Sequence, residues 1–262
     1  MTLLRGQVAI VTGGGRGLGR AVAEALAALD ASVVVASRNA PELDEVVRAI
    51  RKAGGRALAQ TADVSDDRQV QELVLATERW VGPASILVNN AGMIEPLAPL
   101  VRSDPAIWLR NIFINIGGTY LPTRAVLPGM LERGFGRIVN ISSERARNAS
   151  AGMTAYSTAK AGVEQLTRAL ALEVADDGVT ACSYDPGPVD TEMQERLRRA
   201  STADLPRSDE YRAIQREGRL RSPKEAARVI AYLTLPGTLR NGETLHWDDA
   251  DLAHAVEAAF PG

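Results

Sequence analysis

Two hydrophobic periods take turns along this chain. Short apolar runs at Gln7–Thr12, Ser32–Ser37, Arg56–Thr61, Ser85–Val88, Arg137–Ile141 and Val179–Tyr184 read as buried strands. Between them, Ala21–Leu29, Pro41–Ala53, Asp66–Val81, Asp104–Glu132 and Thr154–Ala175 place apolar residues every three to four positions, which predicts amphipathic helices. Glu243–Trp247 reads as a last strand and Asp251–Phe260 as a short amphipathic tail. This alternation predicts an α/β fold: a doubly wound, mostly seven-stranded parallel sheet with helices on both faces. No linker, repeat or low-complexity stretch interrupts it, so residues 1–262 read as a single domain able to bury a core unaided. The segment 188–222 reads as a substrate lid and 248–262 as a C-terminal tail.

The first strand runs into Gly13-Gly-Gly-Arg16-Gly17-Leu18-Gly19 and then a helical pattern, the setting in which a glycine turn binds a dinucleotide. Glycines let the backbone approach a pyrophosphate, and the helix N-terminus offers free N–H groups to it. The second strand ends in Ser37-Arg38, where an NAD-binding unit usually carries a carboxylate for the ribose. Arg38, with Ser37 and with Arg16 from the turn, is suited to clamp a 2′-phosphate, because guanidinium pairs with phosphate bidentately. The expected cofactor is therefore NADP(H), with NAD as the alternative.

Tyr156-Ser-Thr-Ala-Lys160 opens the helix Thr154–Ala175, so the phenol and the ammonium share a face one turn apart. A nearby cation favours phenolate and lowers a tyrosine pKa, and a tyrosine so tuned can exchange a proton with an alcohol oxygen. Lysine is scarce in this chain, which has Lys52, Lys160 and Lys224 and otherwise uses arginine for its basic residues. Ser142 and Ser143 stand upstream at the end of a strand, and strand alternation points them to opposite sides.

With these residues in view, the chain resembles the short-chain dehydrogenases/reductases, in the compact branch whose turn is Thr-Gly-x-x-x-Gly-x-Gly: here Thr12, Gly13, Gly17 and Gly19. Asp63-Val64, Asn89-Asn90-Ala91-Gly92, Asn115 and Pro186-Gly187-Pro-Val189-Asp-Thr191 follow in the family's order, so the resemblance spans Gly6 to Trp247. It implies a Rossmann fold and a four-residue catalytic set. In that set Ser143, favoured over Ser142 by its spacing to the tyrosine, binds the substrate oxygen, and Tyr156 exchanges the proton. Lys160 lowers the tyrosine pKa and holds the nicotinamide ribose, while Asn115 positions a water in a relay from Lys160. The resemblance also implies that Asp63 and Val64 meet the adenine, that Asn90, Ala91 and Gly92 pass along the adenosine ribose, and that Pro186, Gly187, Val189 and Thr191 hold the nicotinamide end. Family members pair the helices matching Asp104–Glu132 and Thr154–Ala175, which implies a homotetramer.

The expected activity is hydride transfer between NADP(H) and a carbonyl or secondary alcohol, with Tyr156 as proton donor or acceptor. Two alternatives are a non-catalytic dinucleotide-binding protein of the same fold and an NAD-dependent alcohol dehydrogenase. Glu144-Arg-Ala-Arg147-Asn follows Ser143 where many relatives carry small apolar residues, and Glu192–Ser222 holds eight arginines and six acids, which suits a polar or anionic substrate. The last strand departs from the family's Asp-Gly-Gly ending, reading Trp247-Asp-Asp-Ala. His246 and His254 lie among acids there, but acidic tails are usually solvated, and no metal is expected. Trp80, Trp108 and Trp247 read as packing residues. A formal net charge of −2 offers no basic field for nucleic acid, and no apolar run is long enough to span a membrane. A lone cysteine, Cys182, without a leader sequence, suits the cytoplasm.

Overall fold

A computed structural model describes residues 2–260; Met1 and the last two residues of the expected tail, Pro261 and Gly262, lie outside the described residues. Strands β1 (Val8–Thr12), β2 (Ser32–Ser37), β3 (Arg56–Thr61), β4 (Ile86–Asn89), β5 (Gly136–Ile141), β6 (Val179–Asp185) and β7 (Thr244–His246) form one parallel sheet in the order β3-β2-β1-β4-β5-β6-β7. The order reverses between β1 and β4, and in such sheets the crevice at the carboxyl ends of these strands is where ligands bind.

Because side chains alternate across a strand, each strand feeds two cores. Ala9, Val11, Val33, Val35, Val139 and Ile141 pack under α1 (Gly17–Ala28), α2 (Ala40–Lys52) and, further along the chain, the helix Pro223–Leu233. Ile10, Val34, Leu87, Ile138 and Ala181 pack under α3 (Asp67–Val81) and the helices Gly118–Arg133 and Thr154–Glu173. Both faces are covered, as the continuous apolar runs predict.

The stretch Asp104–Glu132 is not one regular helix. Asp104 caps α4 (Pro105–Ile112) by accepting from the Ala106 and Ile107 N–H groups, a π-helical turn occupies Phe113–Gly117, and α5 (Gly118–Arg133) follows. Gly117 and Gly118 loosen the helix, and Pro122 has no N–H to give the Gly118 carbonyl. The wide turn carries Asn115 inward, to 1 % exposure. After it come α6 (Thr154–Glu173), α7 (Glu192–Arg199), α8 (Ser208–Arg216), α9 (Pro223–Leu233) and α10 (Ala250–Ala259).

The segment 188–222, expected to be a lid, contains two helices, α7 and α8, that its charge-rich sequence did not announce. Leu197, Leu205, Met193 and Tyr211 bring their few apolar side chains down onto Ile94, Met153 and Tyr156. Arg221 fastens the far end of the lid to the sheet by donating to the Tyr184 hydroxyl (3.1 Å) and the Pro186 carbonyl (2.8 Å). Among the described residues, no helix is long and apolar enough to cross a membrane.

Candidate active site

A cleft of about 1160 Å³ opens at the carboxyl edge of the sheet. Gly13, Arg16, Gly17, Leu18, Gly19, Ser37, Arg38, Asp63, Val64, Asn90, Ala91, Gly92, Ser143, Tyr156, Lys160, Pro186, Gly187, Val189 and Thr191 all line it. Asn115 lies just behind its wall.

The turn after β1 is stitched to the turn after β4. Thr12 Oγ1 accepts from the Asn90 and Ala91 N–H groups, each at 3.1 Å, and Asn90 Nδ2 returns bonds to the Thr12 and Gly13 carbonyls at 3.0 and 3.2 Å. No side chain fits inside this junction: a Cβ on Gly19 would stand 2.2 Å from the Gly13 carbonyl oxygen, and one on Gly13 would stand 2.8 Å from Asn90 Nδ2. The N-terminus of α1 carries no side-chain cap and no acid in its first turn. Its free N–H groups face a glycine cradle, which fits a pyrophosphate.

At the adenosine end the predicted cations are present but partnered. Arg16 pairs closely with Glu192 and lies 4.0 Å from Glu42 Oε1, and Arg38, largely exposed, lies 3.7 Å from Asp63 Oδ2. Burial pushes the Asp63 carboxyl up, but bonds from Ser65 (2.6 and 3.0 Å) and the nearby Arg38 and Arg110 outweigh it and hold the group below its ordinary range. Sequence reasoning missed Glu42 and Glu192. The Glu42 signal was its place in the first turn of α2, three residues after the cap Asn39, beside Ser37 and Gly15.

At the other end, Lys160 and Tyr156 are buried on α6, with Nζ 5.7 Å from the phenol ring centroid. Lys160 Nζ donates to the Ile141 carbonyl at 2.7 Å. Burial pushes its pKa down to about 8, against the pull of the Asp185 carboxylate. The Tyr156 phenol differs from the sequence expectation. Burial raises its pKa well above the ordinary value, the Ser143 hydroxyl beside it pulls the other way, and the Lys160 ammonium, committed to Ile141, does not dominate. Asp185 was also missed. It sits under the cleft at the end of β6, its carboxyl raised by burial, accepting from the Gly187 N–H at 3.0 Å and lying 3.7 Å from His246.

The two serines part as strand alternation requires. Ser142 turns into the α6 side of the sheet and donates to Glu164 Oε1 at 2.7 Å, both groups being buried. Ser143 turns the other way, into the cleft, where its hydroxyl also accepts from the Arg145 N–H at 3.2 Å. Asn115 Nδ2 donates to the Met93 carbonyl (2.8 Å) and to the Asn111 carbonyl and side chain (3.0 and 2.9 Å), while its buried Oδ1 has no partner. A Cβ on Gly92 would come within 2.6 Å of that oxygen and 3.9 Å of Lys160 Nζ, so the free acceptor and the ammonium border one small space. His246 meets Arg147 at 2.9 Å and His254 the Ala250 carbonyl at 2.9 Å. Trp108 donates to Thr154 Oγ1 at 3.0 Å, and Trp247, part-exposed, covers Gly187.

Fold and cleft together define a dinucleotide-binding oxidoreductase. The family profile described as short chain dehydrogenase matches residues 7–202, and the chain belongs to that family. It is 39 % identical over 227 residues, 87 % of this chain and 88 % of the relative, to the cis-4-hydroxycyclohexanecarboxylate dehydrogenase of Sinomonas cyclohexanicum. Among solved structures it is similar to an actinorhodin polyketide ketoreductase variant with NADPH, at 33 % identity and a TM-score of 0.84, covering 92 % of this chain and 95 % of that one. Levodione reductase follows at 28 % identity and a TM-score of 0.86, over 95 % and 99 % of the two chains.

Proposed function

We propose that this protein transfers hydride reversibly between NADP(H) and a carbonyl or secondary alcohol on a small polar substrate, with Tyr156 exchanging the proton. The observation that carries the reading is the meeting of Tyr156, Ser143 and Lys160 in one cleft with an uncapped helix N-terminus and its glycine cradle. The nicotinamide, when bound, supplies or accepts the hydride. When the cofactor is bound, Gly13, Gly17, Leu18 and Gly19 would hold the pyrophosphate, Asp63 and Val64 the adenine, Asn90 to Gly92 the adenosine ribose, and Pro186, Gly187, Val189 and Thr191 the nicotinamide end. Ser143 donates to the reacting oxygen. A phenol held protonated by burial is suited to give its proton to a forming alkoxide, and Lys160, still mainly charged at neutral pH, stabilises that charge and the ribose. The unpaired Asn115 Oδ1 accepts from a water that refills the Tyr156 proton by way of Lys160.

Ser37, Arg38 and Arg16 support NADP(H) over NAD(H), and the NADPH in the ketoreductase structure points the same way. The relative named for a hydroxycyclohexanecarboxylate supports a polar alcohol substrate. Residues 1–262 act as one domain with its lid at 188–222, and the protein works in the cytoplasm, a reading supported by the unpaired, buried Cys182. Leu109, Phe113 and Tyr120, exposed on the α4–α5 face, and Leu172 on α6 support a homotetramer built on those helices. A substrate panel followed by NADPH absorbance tests the reading. Ketone-dependent oxidation of NADPH, lost in Tyr156→Phe, is expected, and a variant that kept near-normal turnover would count against it. In Arg38→Asp, NADPH affinity should drop while NADH affinity holds; an unchanged NADPH affinity refutes the cofactor assignment. Solution mass tests the tetramer.

A further inference from the structure

Arg145 is out of place as a structural residue. It is 7 % exposed, in a short 3-10 turn (Glu144–Ala146) that follows Ser143, and it lines the cleft. One edge of its guanidinium is taken: Nη2 pairs closely with Glu144 Oε2, whose other oxygen accepts from Asn148 at 3.2 Å. The other edge is not. Nη1 is buried and has no partner. Arg137 and Arg198 also each carry one buried guanidinium nitrogen without a partner among the described residues, but neither lines the cleft, and Arg137 uses Nη1 and Nη2 on the carbonyls of Gly136, Gly178 and Pro236. Among the described residues, no backbone carbonyl accepts from the Arg145 guanidinium.

Its surroundings point toward the reacting centre. The charge of Arg145 acts on the phenols of both Tyr156 and Tyr211. Of the other charged groups lining this end of the cleft, Arg207 pairs with Glu210, Arg219 with Glu217 and Arg147 with His246, while Lys160 donates to the Ile141 carbonyl and Asp185 accepts from the Gly187 N–H. The exposed Asp248 has no partner among the described residues and is an acid, not an anion anchor. The backbone N–H of Arg145 bonds the Ser143 hydroxyl, and two residues apart their Cα atoms are at most ~7 Å distant. Arg145 and Ser143 line the same cleft, so one small molecule can meet both.

Resting on the activity proposed above, we infer that Arg145 is the anion anchor of the substrate site, and that the substrate is a keto acid or hydroxy acid whose carboxylate, once bound, takes the unpaired edge of this guanidinium. A planar guanidinium matches a carboxylate in two parallel bonds, and a buried donor left unpaired by a neutral analogue penalises that analogue.

The test measures NADPH-dependent kcat/KM for acetoacetate, levulinate and benzoylacetate, each against its methyl ester, in the wild type, Arg145→Gln and Arg145→Lys. The wild type should prefer at least one acid over its ester by about tenfold or more, mainly through KM. Arg145→Gln should bring that ratio close to one, and Arg145→Lys should restore part of it, since lysine keeps the charge without the fork. NADPH binding followed by fluorescence reports whether each variant folds; if Arg145→Gln does not, the wild-type ratio decides alone. Esters turned over as well as their acids, or a preference that survives in folded Arg145→Gln, overturn the inference and leave the proposed activity standing. Bound NADPH that no ketone oxidises sinks the activity itself, and the anchor with it.

Discussion

Replacing each of the paired serines by alanine should separate stability from turnover. Ser142 donates at 2.7 Å to a Glu164 carboxylate that is 4 % exposed and whose nearest cation, on the half-exposed Arg168, is 3.9 Å away. In Ser142→Ala that buried oxygen loses its one short donor. A hydrogen bond to a charged group contributes about 1.5–3 kcal/mol, and a chain of this size loses about 2–4 °C per kcal/mol, so a fall in Tm of roughly 3–12 °C is expected. Turnover should stay within about threefold of the wild type, because the group lost faces α6 and not the cleft. Ser143→Ala removes a hydroxyl that accepts from the Arg145 N–H and lines the cleft with the Tyr156 phenol. Loss of one donor to a developing oxyanion costs about 2.7–4 kcal/mol, or 10²–10³ in kcat. Thermal unfolding and steady-state NADPH oxidation on the same preparations read both effects. A hundredfold loss of kcat in Ser142→Ala, with Ser143→Ala active, would refute the assignment and the alternation argument behind it. In a Glu164→Gln background Ser142→Ala should cost about half as much, since the acceptor is then neutral.

Four further outcomes follow from the same geometry. Lys160, pushed down to about 8, loses its ammonium as pH rises, so reductive kcat/KM should fall about tenfold per unit above that point, and whatever activity Lys160→Arg retains should show no such limb. The linked stability term has the opposite sign. Below about 8 both folded and unfolded chains hold the Lys160 proton; above it the folded chain releases first, so this group favours the folded state increasingly up to its ordinary 10.5. Cys182, buried and raised to about 12, should resist thiol reagents in the native protein and react on unfolding; rapid native labelling would contradict the packing of β6. Glu42→Gln, removing a carboxylate beside Ser37 and Arg16, should tighten NADPH about three- to tenfold and leave NADH within twofold, as measured by titration. Gly92→Ala would drive a methyl into Asn115 Oδ1, a side chain fixed by three hydrogen bonds, and should lower Tm and kcat together, with a stability cost of about 1–3 kcal/mol.

Central strands were legible because a parallel sheet covered on both faces leaves nearly uninterrupted apolar runs, which is why Ser32–Ser37 falls where the pattern puts it, whereas Arg56–Thr61, a partly buried edge strand, was legible from its place in the alternation of strands and helices. Asp104–Glu132 was legible as helix but not as a helix with a π turn, since one inserted residue barely alters a three-to-four spacing. The helices α7 and α8 were hidden for a different reason: they bury single residues such as Leu197 in a charged sequence, and their partners Ile94, Met153 and Tyr156 come from separate elements far back along the chain. The glycine turn and the tyrosine–lysine pair were legible because backbone approach and helical spacing are local. The Tyr156 environment was not, because burial under Met193 and Tyr211 depends on how the lid folds back. Arg16 and Arg38 could be placed at the cleft from sequence, as candidates for a phosphate, but their partners Glu192 and Asp63 are distant in sequence and invisible to it.

The precision of the catalytic group has its source in a polar row within an otherwise apolar layer. Asn89, Asn140 and Ser183 stand side by side on β4, β5 and β6. Asn89 Nδ2 donates to Asn140 Oδ1 (2.9 Å) and to Thr123 on α5 (3.0 Å); Asn140 Nδ2 and the Ser183 hydroxyl both reach Thr167 on α6 (2.8 and 2.9 Å). An apolar contact here would tolerate sliding of α6 along the sheet, whereas a buried donor left without its acceptor costs about 1–3 kcal/mol, so the row permits one register. Two residues beyond Asn140, the Ser142–Glu164 bond repeats the constraint one turn closer to the site. With α6 so fixed, Lys160 meets the Ile141 carbonyl, and Tyr156 lines the cleft with Ser143, just past the end of the same strand. Side chains that never touch the substrate thus set where the proton donor stands, which is why Thr167 and Glu164, deep in the layer, belong to the same physical unit as the phenol they never contact.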